Sequence, residues 1–359
     1  EITGVNILEN DRRTPIQYKL PPGIERETLN TYNNLIRENE QSLSLKVIEL
    51  ESKDSQGVYK HIDLDMRQYK KIRMFIHAES IVGKTPLPGE GVDEELDSRI
   101  SAFIRIGSDI DENYYQIEIP LKPTAYSRGI SNNLSADEVW QVDDNEIDIP
   151  IEILTKLKAK SIANRNINGA TFFDEDLNLI QEFDLNSSLP GEKKYKFSIK
   201  GNPSLGAIRT LVVGVKNPGV EPNQTLSGEV WFNELRLSEI DSKGGWAAVA
   251  NIDASLADFA KISVNGAKTS VGFGSIDKSP NQRSQDDITS FAVSTSVNAG
   301  MLFPKKWGVI VPLSYSYNEE TITPEYDPYF KDIKLKNRLD TSNRPVSYTH
   351  LRAHETNSH

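Results

Sequence analysis

The chain has 359 residues, 37% of them hydrophobic, with a formal net charge of −11, a sequence pI near 5.1 and no cysteine. An acidic chain without clustered Lys and Arg is a poor nucleic-acid partner, because phosphate neutralisation needs such clusters. The absence of Cys excludes disulfides and thiolate metal sites. No run of about 18 apolar residues is present, which excludes a membrane helix but not membrane strands, since these need only about 9–11 residues with alternate positions apolar.

The length allows one large or two ordinary domains. Residues 1–30 read as an extended lead-in, because Pro15, Pro21, Pro22 and Gly23 interrupt regular structure. Residues 28–38 offer a short helical turn at best. Leu43 to Glu51 alternates Leu43, Leu45 and Val47 against Ser44, Lys46 and Ile48, the pattern of a half-buried strand. Lys71 to Ala78 does the same, with Ile72, Met74 and Ile76 on one face, and the neighbouring Arg67, Lys70, Lys71 and Arg73 read as its solvated face. Ile81 to Asp97 is an acidic loop rich in Pro and Gly. Ile100, Ala102, Ile104 and Ile106 alternate again, and Tyr114 to Ile119 is a strand stopped by Pro120.

Pro150 to Ala163 is the best helix candidate, with Ile151, Leu154, Leu157 and Lys158 at helical spacing and Pro150 suited to a first turn. Lys194 to Lys200, Ile208 to Lys216 and Glu229 to Leu237 are later strands. Tyr195, Phe197 and Ile199, and Val230, Phe232 and Leu235, supply the apolar faces of the first and last. Short strands at this spacing predict an all-β chain whose residues 31–240 form a jelly-roll-like, galactose-binding-like antiparallel β-sandwich.

The pattern sharpens after Gly244-Gly245. Trp246, Ala248, Ala250, Ile252, Ala254 and Leu256 alternate with Ala247, Val249, Asn251, Asp253 and Ser255. Ile262 and Val264 follow the same rule, as do Phe291, Val293, Thr295, Val297, Ala299 and Met301. Trp307, Val309, Val311, Leu313, Tyr315 and Tyr317 alternate with Gly308, Ile310, Pro312, Ser314, Ser316 and Asn318. Three of the runs reach about 11 residues, enough to cross a bilayer when tilted. Trp246, Trp307, Tyr315 and Tyr317 fall near strand ends, where aromatic girdles form. Pattern alone leaves two readings open: strands of a membrane barrel over residues 245–335, or sandwich strands with one wet face. Pro312 counts slightly against a central strand.

Motifs for chemistry are weak. Val82-Gly83-Lys84-Thr85 lacks the upstream Gly of a phosphate loop, which is Ala78 here, and Pro86 blocks the helix that must follow. Gly272-Phe273-Gly274 lacks the third glycine of a dinucleotide loop, where Asp277 stands. Asp143, Asp144 and Asp148, in the densest acidic cluster, are weak Ca²⁺ candidates. Only His61 and His77 lie outside the last residues, so pairs of nucleophile and base are scarce. His350 and His354 have helical ligand spacing but sit in Pro345 to His359, a segment that breaks the preceding patterning and reads as a non-native tail. These residues predict neither an enzyme nor a bound cofactor or metal.

Several motifs carry a family likeness: Thr14 to Glu27 (TPIQYKLPPGIERE), Val58 to Glu79, Arg105 to Leu121, Asn202 to Leu205, GEVWFNELRL from Gly228 followed by GGWAA and LADFA, and Ser270 to Asp277 (SVGFGSID). From about residue 10 to about residue 335 the chain resembles the SprA/Sov family of gliding-motility and type IX secretion proteins of the Bacteroidota. The resemblance implies an outer-membrane protein-conducting barrel flanked by a periplasmic or extracellular domain. It makes Trp246, Ala248, Ala250, Ile252, Ala254, Leu256, Trp307, Val309, Val311, Leu313, Tyr315 and Tyr317 lipid-facing. It implies as partners the outer-membrane lipid, a PorV-type barrel protein, a periplasmic plug and type IX cargo. With no initiating Met or signal peptide, an internal fragment of a longer chain is expected. The competing expectation is a carbohydrate-binding β-sandwich module of a secreted or cell-surface protein, using Trp140, Tyr114, Tyr115 and Tyr126.

Overall fold

A computed structural model describes residues 1–336 apart from 27, 32–33, 91–98, 126–133, 164–168, 174–178, 185–194, 220–223, 242–243 and 279–281. The suspected tail, His350, His354 and Tyr126 lie outside the described residues. The chain divides into two compact units, Glu1–Ile240 and Asp241–His359. The strands of the first are β1 (Ile2–Asn6), β2 (Thr28–Thr31), β3 (Asn34–Arg37), β4 (Gln41–Leu50), β5 (Ser55–Leu64), β6 (Tyr69–Met74), β7 (Ile76–Ser80), β8 (Ser101–Gly107), β9 (Tyr114–Pro120), β10 (Ile147–Pro150), β11 (Gly169–Phe173), β12 (Leu179–Asp184), β13 (Lys196–Lys200), β14 (Ile208–Lys216), β15 (Leu226–Phe232) and β16 (Arg236–Ile240). The second unit holds β17 (Ala247–Leu256), β18 (Ala260–Thr269), β19 (Asp286–Asn298) and β20 (Pro312–Pro324). The all-β expectation holds, and these strands pair antiparallel throughout.

The first unit is a sandwich. One layer is a seven-stranded sheet in the order β12-β11-β13-β9-β8-β14-β5. The facing layer is a four-stranded sheet, β1-β4-β15-β7, together with a three-stranded sheet, β10-β6-β16. These two sheets are pieces of the same chain path. β6 runs into β7 through Phe75, whose carbonyl accepts from Asn233 N at 3.0 Å where β15 runs into β16. Alternation explains the core, since a strand with one covered face buries every second side chain. Leu45, Val47, Ile76, Val230 and Phe232 from one layer meet Ile104, Ile106, Ile117, Ile199 and Val215 from the other in a single cluster. The helix Glu152–Ala163 adds Ile153, Leu154 and Leu157 to it.

Three expectations change. Pro150 ends β10 instead of opening the helix: Ile151 N donates to Lys70 O at 2.8 Å, which extends the strand ladder past the proline. Residues 28–38 hold the β2–β3 hairpin and not a helical turn. Residues 1–26 are part of the sandwich and not a lead-in to it. β1 pairs with β4, and Val5, Ile16 and Tyr18 form a second core with Phe75, Leu134, Val139, Trp140 and Trp231. That core lies on the outer face of the four-stranded sheet, which is why Trp231 and His77 are buried although they alternate with Val230, Phe232, Ile76 and Ala78.

In the second unit the four strands form one sheet in sequence order, β17-β18-β19-β20. Among the described residues no closed barrel is present and nothing covers either face of β17 or β20, so side chains along these two strands are exposed on both sides. Also among the described residues, no helix is long and apolar enough to cross a membrane.

Candidate functional site

Two constellations stand out, one buried and one exposed. The buried one fills the outer face of the four-stranded sheet. Arg13 Nη2 lies 2.6 Å from Glu79 Oε1 and 2.9 Å from Glu229 Oε2, so one guanidinium bridges two carboxylates on neighbouring strands. Glu229 Oε1 also accepts from Ser44 Oγ at 2.8 Å and Trp231 Nε1 at 2.9 Å. Glu79 Oε2 lies 3.2 Å from His77 Nε2, and His77 Nδ1 lies 2.6 Å from the Val139 carbonyl. Arg13 stands over the Trp231 ring at 5.0 Å, the His77 ring lies 4.0 Å from Trp231, and Tyr18 and Trp140 close the box.

Buried charges persist only when paired and hydrogen-bonded, and here they are. Burial alone would raise the Glu79 carboxyl. The hydrogen bonds and charges of His77 and Arg13 outweigh it and hold the group below its ordinary value. Burial pushes the Tyr18 phenol up to about 12. His77 and Glu79 are sealed from solvent, so this pair offers no base to an external substrate. Its effect is to fasten residues 1–26 and the helix Ala136–Trp140 onto the sheet.

The depressed Glu79 value has a pH consequence. A carboxyl depressed in the folded state contributes its stability in full above its unfolded value, and loses it as pH falls through the folded value. The urea midpoint of the first unit is therefore expected to drop as pH is taken below about 4.5. Glu79→Gln should flatten that drop, and parallel acid profiles for wild type and variant would refute the assignment.

The exposed constellation is the sheet of the second unit. The register puts Ile252 opposite Val264, Val264 opposite Val293 and Val293 opposite Tyr317. The neighbouring rows are Ala254–Ile262–Thr295–Tyr315 and Leu256–Ala260–Val297–Leu313. Because the side-chain period is two, a one-residue slip in any strand would break these rows. The pairing therefore gathers the apolar sets of four separate runs onto one face. The opposite face carries rows such as Asp253–Ser263–Ser294–Ser316 and Ser255–Lys261–Ser296–Ser314. An open trough in the sheet is lined by these two rows and by the row between them, Ala254–Ile262–Thr295–Tyr315.

Ala248, Ala250, Ile252, Ala254 and Leu256 thus stand on one face with Leu313, Tyr315 and Tyr317, and Trp246 sits just before β17 with its ring 5.6 Å from Lys268 Nζ. Trp307, Val309 and Val311 are a correction: they precede the strand. Pro304 opens a short 3-10 turn, Lys305–Trp307, Gly308 takes a left-handed φ of 60°, and β20 begins only at Pro312. β20 instead continues through Asn318, Glu319 and Glu320 to Pro324, a stretch whose polarity hid it. The third run also shifts, to Asp286–Asn298.

The Ca²⁺ candidates do not converge. Asp143 and Asp144 lie on the helical turn Val142–Asn145, and Asp148 lies on β10. Asp144 is 3.3 Å from Lys122, and Asp148 is 3.7 Å from Lys71 and 3.5 Å from Arg73. Among the described residues no three His or acidic side chains are placed to hold a metal ion. The glycan-binding set fares no better, since Trp140 and Tyr115 are fully buried and the Tyr114 ring lies 3.9 Å beneath Arg105.

The family model SprA_N, described as motility related/secretion protein, matches residues 1–339. No curated protein matches the chain.

Proposed function

The chain belongs to the motility related/secretion protein family, and from that premise we propose that its second unit is a piece of the wall of an outer-membrane protein-conducting barrel of the type IX secretion system. One observation carries the reading: four long strands pair so that their apolar side chains share one face, while small polar side chains share the other. In water a single uncovered sheet is unstable, because an antiparallel sheet needs one face covered. In a bilayer the lipid covers the apolar face and the polar face borders an aqueous lumen. The free edges of β17 and β20 would then be paired with further strands of the wall, since closure is how barrels remove edges.

The dimensions agree. From Trp246 to Leu256 is about 33 Å of strand, which at a barrel tilt of about 40° stands about 25 Å tall, the height of a barrel's apolar band. Serine-rich rows and few charges suit a lumen that passes a polypeptide without holding it. The function is conduction and not catalysis. The partners we assign are the surrounding lipid, a PorV-type barrel, a periplasmic plug and cargo proteins. The sandwich is a domain flanking the pore on the periplasmic or extracellular side.

The test uses the absence of cysteine. Single Cys residues from 246 to 256 carry a fluorophore in the intact protein in its membranes, and lipid-borne quencher is added. Quenching at 246, 248, 250, 252, 254 and 256, and not between them, is the expected result. Uniform insensitivity sinks the proposal.

A further inference from the structure

At one end of the sheet, β19 and β20 are joined by residues 299–311, AGMLFPKKWGVIV. This connection is ordered. Ala299 N donates to Val311 O at 2.8 Å, Trp307 N to Pro304 O at 2.9 Å and Gly308 N to Lys305 O at 3.3 Å. Gly300 lies against the returning backbone so closely that a Cβ there would meet Val311 N at 3.0 Å. Yet the loop hides almost none of its apolar side chains. Leu302 is 74% exposed, Ile310 81% and Trp307 66%, with Met301 and Phe303 about half exposed. Phe303 and Trp307 stack with their rings 6.2 Å apart, and Lys305 and Lys306, which lie between them in the sequence, are both exposed.

We infer that this loop is an interfacial anchor that beds in the headgroup layer of a lipid bilayer. The inference rests on the barrel reading of the sheet. Three features choose lipid over a protein partner. The loop leaves the sheet at the end that holds the apolar row Leu256–Ala260–Val297–Leu313, where a wall strand would leave the hydrocarbon. Its composition joins one amphipathic ring, Trp307, to two lysines, and at the membrane–water boundary Trp lies among headgroups while Lys extends its ammonium towards water and phosphate. Its charges are two adjacent cations with no acidic residue between 299 and 311, which complements anionic headgroups. At the opposite end, Trp246 and Lys268 pair ring and cation in the same chemistry.

The experiment places single Cys labels at 302, 310 and 252 in the intact protein in its membranes. The membranes are doped with phosphatidylcholine carrying a spin label either at the headgroup or deep in the acyl chain. Labels at 302 and 310 are expected to be quenched more by the headgroup probe, and the label at 252 more by the deep probe. Changing Lys305→Glu together with Lys306→Glu should abolish most of the quenching at 302 and leave 252 unchanged. Quenching at 252 with silence at both 302 and 310 overturns the anchor and leaves the barrel standing. Silence at 252 with headgroup quenching at 302 and 310 does the reverse. Silence at all three overturns both, and stronger deep quenching at 302 and 310 overturns the anchor.

Discussion

Replacing Arg13 by Met is expected to destabilise the first unit by about 3–5 kcal/mol, the cost of breaking a buried ion pair by removing one partner. The physical reason is the asymmetry of the cluster. Among the described residues, Arg13 is the one guanidinium placed between Glu79 and Glu229, whose side chains are 3% and 13% exposed. Methionine keeps much of the contact with Trp231 but leaves two carboxylates facing each other without the bridge. The measurement is urea unfolding followed by the fluorescence of the buried Trp140 and Trp231, with the loss read from the midpoint at constant slope. Arg12→Met is the control, because Arg12 is exposed one residue away and surface changes usually stay within about 0.5 kcal/mol. If the two variants unfold alike, the bridge holds nothing together. Adding Glu79→Gln to Arg13→Met should recover part of the loss, since it removes one of the stranded charges.

That cluster was the least legible part of the sequence. Ser44, Glu79 and Glu229 alternate with core residues, and an alternating polar residue reads as a solvated one. Nothing local distinguishes a strand face covered by water from one covered by residues 1–26. The covering segment is itself rich in Pro, and its contribution comes from single side chains (Arg13, Ile16, Tyr18) with no period to detect. Trp140 misled for the same reason: an aromatic side chain on a jelly-roll-like sandwich suggests a glycan-binding surface, yet it is fully buried and its indole nitrogen donates to the Lys19 carbonyl at 2.9 Å.

Where apolar residues alternate strictly, the sequence was readable. Ile100, Ala102, Ile104 and Ile106 all enter the core as predicted, although Ser101 and Phe103 between them are buried as well, and the β17 set lies on one face with its cross-strand neighbours. Boundaries were harder. The alternation from Trp307 to Tyr317 carries no mark that Gly308 turns left-handed. The far half of β20 puts Glu319 and Thr321 in line with Tyr317, so the apolar signal ends before the strand does. Pairing register supplied what single-strand periodicity could not, because it shows four runs agreeing on one face.

That agreement sets the second large effect. Arginine at Ile252 is expected to cost about 2–4 kcal/mol of barrel stability, the penalty for a lipid-facing cation near the bilayer midplane. Ile252 lies six residues after Trp246 and four before Leu256, close to the middle of the span. Ala248 is on the same face but in the row with Lys268, Thr289 and Thr321, so Ala248→Arg should cost only about 0–1 kcal/mol, as at an interface. Asn251 is adjacent to Ile252 on the polar face, beside Asn265, and Asn251→Arg should be tolerated. The readout is urea unfolding of the intact protein in its membranes. A soluble sandwich also rejects arginine on its covered face, but its penalty follows packing at each site and has no reason to track distance from the sheet end. The ordering of 252 well above 248, with 251 near wild type, therefore separates lipid from a protein core. Equal penalties at 248 and 252 would place the apolar face against protein and remove the membrane from the argument.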